Sequence, residues 1–138
     1  MSSDWINIKV QNRVNLADGI VGLTLVTLDG TDLPAFTAGA HIDVELPNKL
    51  VRQYSLSNQP TDRHQYQIGV LLDPSSRGGS KSVHEDLQEG SRLRISKPHN
   101  HFPLADADHS ILLAGGIGIT PILCMAKQLS SQSKSFDM

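Results

Sequence analysis

The sequence predicts a mainly β chain, a six-stranded antiparallel barrel with one short helix, followed by the first βα unit of an α/β domain. Three observations carry this. Short alternating runs recur from Trp5 to Ser96, with turn residues between them, the pattern of a sandwich or small barrel. Within that stretch only Ser82-Val83-His84-Glu85 has the form of a helix capping box. From Ser110 the pattern changes to a continuously apolar run, then glycines, then a helical stripe.

Trp5 to Val14 alternates loosely and reads as the first strand. Ile20 to Leu28 is rich in β-branched residues and ends at the turn signal Asp29-Gly30. Pro34 to Gly39 is loop, with Phe36 available as an anchor. His41 to Leu46 alternates cleanly, with Ile42, Val44 and Leu46 on one side and His41, Asp43 and Glu45 on the other. Pro47-Asn48 turns the chain into a strand from Val51 that stops at the breaker Asn58-Gln59-Pro60. Tyr66 to Leu72 is the next strand, and Asp73 to Ser80 a turn-rich loop. The capping box starts a helix that runs to about Gln88 and stops at Gly90. Arg92 to Ser96 closes the barrel, and Pro98 to Asp108 reads as linker. Ile111-Leu112-Leu113-Ala114 has the character of a buried parallel strand. Gly115-Gly116-Ile117-Gly118 follows, and Thr120-Pro121 opens a helix carrying Ile122, Leu123, Met125, Ala126 and Leu129. One βα unit cannot supply the neighbours that a parallel strand needs. The sequence therefore reads as cut short after the polar run Ser130 to Ser135. Self-association through the apolar strand edge and helix face of Ile111 to Leu129 is expected.

Composition narrows the function. The 138 residues suit one ordinary core, and 38% hydrophobic with 19% charged residues is the balance of a globular protein. A net charge of −2, with Lys and Arg scattered, gives no basic stripe for nucleic acid. Met1 to Val10 has no secretory pattern, and the longest apolar stretch, Ile111 to Met125, is broken by three glycines and a proline. No membrane association is expected, and the cytoplasm is the expected compartment. The single cysteine, Cys124, rules out an internal disulfide framework and a thiolate-ligated cluster or zinc site within these residues. It sits among apolar helix neighbours and reads as a buried structural thiol. The histidines show no metal-ligand spacing, so no metal site is expected.

The chemistry centres on Val51-Arg52-Gln53-Tyr54-Ser55. Alternation puts Arg52 and Tyr54 on one face and Val51, Gln53 and Ser55 on the other. A fixed guanidinium suits an anion such as a phosphate, and a neighbouring phenol suits a planar ring with polar edges. Gly78-Gly79-Ser80, just before a helix start, offers unobstructed backbone amides to a phosphate. Gly115 to Pro121 sits between strand and helix, but Pro121 stands where the dinucleotide fingerprint has its third glycine.

In this order, Pro34 to His41, Arg52-Gln53-Tyr54-Ser55, Gly78-Gly79-Ser80 and Gly115 to Pro121 resemble the ferredoxin reductase-like flavoprotein superfamily. Arg77-Gly78-Gly79-Ser80, Asn100 to Leu104 and the glycine–threonine–proline turn resemble its phthalate dioxygenase reductase branch, which includes the vanillate O-demethylase reductases. The resemblance implies a flavin-binding Greek-key barrel over residues 1–104, with the start of an NAD(P)-binding α/β domain over 105–138. In such reductases NADH or NADPH delivers hydride, and electrons leave singly through a plant-type [2Fe–2S] domain to a terminal oxygenase. The branch usually carries FMN, most of the superfamily FAD. Carried over, Arg52 meets the flavin phosphate, and Gln53, Tyr54 and Ser55 contact the flavin. Gly78, Gly79 and Ser80 complete the phosphate site. Thr120 lies near the reactive edge, Ser55 and Thr120 are the catalytic residues implied, and Gly116 and Gly118 admit the nicotinamide nucleotide. The later nucleotide-domain strands and the four cluster cysteines do not occur in these residues, so neither NAD(P)H nor a [2Fe–2S] cluster is expected to be held here. Two other readings fit the same residues. One is an FAD-dependent reductase of the superfamily; the other is a non-redox barrel whose Arg52 and Tyr54 serve a partner surface.

Overall fold

The computed structural model describes residues 5–17, 19–71, 87–100, 104, 109–111 and 119–137. Its strands are β1 (Ile6–Ala17), β2 (Ile20–Thr27), β3 (His41–Glu45), β4 (Val51–Ser55), β5 (Tyr66–Leu71) and β6 (Arg92–Ile95), followed by β7 (His109–Ile111), helix α1 (Ile119–Ser131) and β8 (Ser135–Asp137). The first six form one antiparallel sheet in the order β4-β3-β6-β1-β2-β5. The hairpins β1–β2 and β3–β4 are local. The chain crosses over from β2 to β3 and again from β5 to β6, so β6 lies between β1 and β3, which is the Greek-key feature of the expected barrel.

Alternation sets which side is buried. In β3, Ile42 and Val44 are buried while His41, Asp43 and Glu45 are half-buried. Ile8, Leu25, Tyr66, Ile68 and Ile95 meet them in the interior. β1 runs three residues past the expected Val14. Register shifts at Val10/Asn12 and Asn15/Ala17 reset its alternation, and for that reason the sequence pattern fades there. The loop before β3 contributes Leu33, Phe36, Ala38 and Ala40 to the core. Phe36 is buried and meets Tyr66 edge-to-face at a centroid distance of 5.5 Å, and the Tyr66 hydroxyl donates to the Pro34 carbonyl. The expected anchor role of Phe36 holds.

The α/β segment differs from expectation in two respects. A further strand, β8, pairs parallel with β7 through His109↔Ser135, Ser110↔Phe136 and Ile111↔Asp137, so the βα unit is a βαβ unit. The strand begins at Ser135, the last residue of the polar run Ser130 to Ser135. Secondly, the apolar face of α1 is not left open. Ile122, Cys124, Met125, Ala126 and Leu129 are buried and join the barrel core. That covering removes the helix-face part of the exposed surface on which self-association was expected. The expected helix at 82–88 begins outside the described residues. No described helix is long and apolar enough to cross a membrane.

Candidate functional site

β4 is an edge strand of the sheet, and its hydrogen-bond phase can be worked out from its neighbour. Asp43 N–H donates to Ser96 Oγ at 2.9 Å, and its carbonyl accepts from Ser96 N–H at 2.9 Å. His41 exchanges both backbone bonds with His99, at 2.8 and 2.9 Å. Asp43 and His41 thus spend their main-chain groups toward β6 and its continuation. Their cross-strand partners Gln53 and Ser55 must therefore point main-chain N–H and C=O away from β3. The same phase holds at Ser57, whose N–H donates across to the Gln67 carbonyl of β5 at 2.8 Å. The result is a stretch of β4 with outward amides at Gln53 and Ser55 that have no strand partner among the described residues.

Arg52 and Tyr54 share the face that carries Val44 and Ile42, as the alternation predicts. Both are half-buried. The Arg52 guanidinium donates from Nη1 to the Val51 carbonyl at 2.9 Å and pairs with no carboxylate among the described residues. Burial raises the Tyr54 phenol above its ordinary range, partly offset by the Arg52 charge, so the ring presents a neutral hydroxyl. Ser55 is half-buried opposite His41, and the Gln53 side chain is exposed, both on the other face from Tyr54. Any part Gln53 takes in holding a ligand on the Tyr54 side falls to its outward main chain. Thr120 lies in the first turn of α1. Gly78, Gly79, Ser80, Gly116 and Gly118 lie outside the described residues.

The seam below this edge was not foreseen. Asn58, read from sequence as a breaker, is 3% exposed and stitches β4's continuation to β5. Its Nδ2 donates to the Gln65 carbonyl at 2.9 Å, and its Oδ1 accepts from Gln67 N–H at 2.9 Å. Ser57 Oγ adds a bond to Gln67 O at 3.1 Å. Lys127 of α1 donates to the Ser57 carbonyl at 3.1 Å, so the helix bearing Thr120 is tied to the chain two residues beyond β4. Cys124 of α1 is fully buried against the Gly39 backbone, and burial pushes its thiol up to about 11. The thiol is structural, as expected. Among the described residues no group of His, Cys, Asp and Glu could hold a metal.

No family model matches the chain. It is 57% identical over 129 residues to the vanillate O-demethylase oxidoreductase of Pseudomonas putida, a match covering 93% of this chain and 41% of that protein. It is 42% identical over 134 residues to the phthalate 4,5-dioxygenase oxygenase reductase subunit of Pseudomonas putida, covering 96% of this chain and 41% of that one. The solved structure of phthalate dioxygenase reductase, described as modular for electron transfer from pyridine nucleotides to [2Fe–2S], matches with a TM-score of 0.94 at 40% identity. That match covers 96% of this chain and 42% of that chain. The chain spans about two fifths of the length of the relatives it matches. With its Greek-key barrel and these identities, the chain matches reductases of the ferredoxin reductase-like flavoprotein type over the residues compared. These similarities fall in the superfamily's branch of phthalate dioxygenase and vanillate O-demethylase reductases.

The residues present fit a flavin nucleotide. A guanidinium without a carboxylate partner suits the phosphate, a desolvated neutral phenol suits the ring system, and outward edge amides suit polar ring atoms.

Proposed function

We propose that this chain is the flavin-binding barrel, residues 1–104, and the start of the nucleotide-binding domain, residues 105–138, of an NAD(P)H-dependent flavoprotein reductase. The whole protein passes electrons through an iron–sulfur centre to a Rieske-type aromatic oxygenase or demethylase. The observation that carries this reading is the pairing of Arg52 with Tyr54 on one face of an edge strand whose neighbouring amides point outward. A flavin held here would supply the chemistry that takes up hydride and releases electrons singly. The chain's own work is to bind and orient. Arg52 holds the phosphate with charge-assisted bonds, joined by Gly78, Gly79 and Ser80. Tyr54 covers the ring system, and the main chain of Gln53 and Ser55 fixes its polar edge. Thr120 is assigned to the reactive edge and Ser55, through its outward main chain, to the flavin beside it, and Gly116 and Gly118 leave room for the nicotinamide nucleotide. FMN is the flavin proposed, on the strength of the branch.

The test is an absorption spectrum of the chain after incubation with FMN or FAD and desalting. Retained flavin bands, stronger with FMN and lost in Arg52→Ala, are expected. A folded, colourless protein would contradict the site, while equal retention in Arg52→Ala would remove Arg52 from it. Preference for FAD would overturn the choice of flavin alone.

A further inference from the structure

The outer face of β3, β6 and β1 takes no part in the site on β4, and its charges are out of balance. Register places Lys9 directly opposite Arg92. Like charges in that relation sit about 5 Å apart at Cβ and repel. Two residues along, Arg94 stands opposite Glu45. Arg94 is committed, since its Nε and Nη2 donate to Glu45 Oε1 and Oε2 at 3.1 and 2.7 Å. Its guanidinium also lies 5.3 Å from the centroid of the Trp5 ring. Bonds from Arg94, with a smaller contribution from the charge of Lys49, hold the Glu45 carboxyl below its usual range. Lys9, Lys49 and Arg92, by contrast, are exposed and form no ion pair with any described carboxylate. Lys49, Arg92 and Arg94 line, with Glu45, a cleft of about 260 Å³ backed by Leu46 and Leu93. Three cations therefore face one carboxylate in a chain whose net charge is −2.

We propose that this face docks an acidic protein partner, with Asp or Glu side chains entering the cleft between Lys49 and Arg92 and reaching Lys9. The spread of the cations selects a protein over a small anion. They come from β1, β6 and the β3–β4 turn, so they do not converge on one point and instead match several carboxylates. The apolar backing of Leu46 and Leu93 suits the methylenes of those side chains. Such a partner neutralises the Lys9–Arg92 repulsion on binding, and association is electrostatically steered and weakened by salt.

The probe is a fluorescently labelled oligo-glutamate peptide titrated with the chain by anisotropy at low and high salt. Binding at low salt, weakened at least about tenfold at high salt, is expected. Arg92→Glu should abolish it, while Lys134→Glu, an equal charge change outside this face, should leave it. Lys9→Glu separates binding from folding, because it turns a repelling pair into an attracting one. The melting temperature should rise while peptide binding falls. Absence of binding at low salt would overturn the proposal. So would an equal loss in Lys134→Glu, which would make net charge the cause. Displacement of the peptide by inorganic phosphate as readily as by unlabelled peptide would overturn it too, in favour of a small-anion site.

Discussion

Replacing Asn58 by Leu tests how the barrel is held closed beside the site. The side chain is 3% exposed, and its amide makes two bonds, to the Gln65 carbonyl and from Gln67 N–H, each 2.9 Å. Leucine keeps roughly the volume but strands both backbone partners. A buried donor or acceptor left without its partner costs about 1–3 kcal/mol. Gln65 and Gln67 are half-buried, so water recovers part of this. The loss should be about 2–4 kcal/mol in total. For a chain of this size a kcal/mol moves the melting temperature by about 3–4 °C, which gives a drop of roughly 6–16 °C. Thermal melts followed by circular dichroism measure it directly. The Ser57 N–H bond to Gln67 remains, so the seam should loosen without opening. Flavin retention should fall with it, since Tyr54 lies four residues upstream on the same chain path. A drop under about 3 °C would refute the reasoning, because it would mean that the seam holds without the amide.

Four further perturbations have defined signs. Tyr66→Phe keeps the edge-to-face contact with Phe36 but removes the bond to Pro34; it should cost about 1–2 kcal/mol in denaturant titrations and leave flavin binding unchanged. The Cys124 thiol, raised from about 9 to about 11, holds its proton longer folded than unfolded. Stability should be flat in this group below pH 9 and fall as pH rises toward 11, and the thiol should resist an aromatic disulfide reagent at pH 8 until the chain is unfolded. Two glycines should behave oppositely to their surroundings. Gly90 has open space around it but a φ of +91°, so Gly90→Ala should cost about 1–2 kcal/mol by melting. At Gly22 an added Cβ meets the Leu16 side chain at 3.0 Å, but Leu16 is 59% exposed and free to swing away, so Gly22→Ala should cost under about 1 kcal/mol.

What could be read in the sequence follows from where the physics is local. Strand β3 announces itself because one face is buried and the other is not, and the period of two survives in Ile42, Val44 and Leu46. The same period puts Arg52 with Tyr54 whatever strand lies beside them, and with them the half of the candidate site that depends on side-chain direction. Strand β8 left no such mark. Ser135, Phe136 and Asp137 have no alternation to detect, and their pairing is dictated by β7 across an entire helix. Asn58 was hidden for a related reason. A short amide before a proline is the usual residue of a turn, and only the return of β5 to the same place turns it into a buried crosslink. The outward amides of Gln53 and Ser55 belong to this second class, since their direction is fixed by what Asp43 and His41 do on the neighbouring strand. The sequence pattern therefore reports which side chains a ligand would meet, while long-range pairing decides which backbone groups are left to meet it. A substitution that alters only the β3–β6 pairing, such as Ser96→Ala, should on this argument disturb the β4 edge without touching Arg52 or Tyr54. Loss of the Asp43 N–H to Ser96 Oγ bond should weaken flavin retention less than Arg52→Ala does, and unchanged retention would show that the edge amides keep their phase without it.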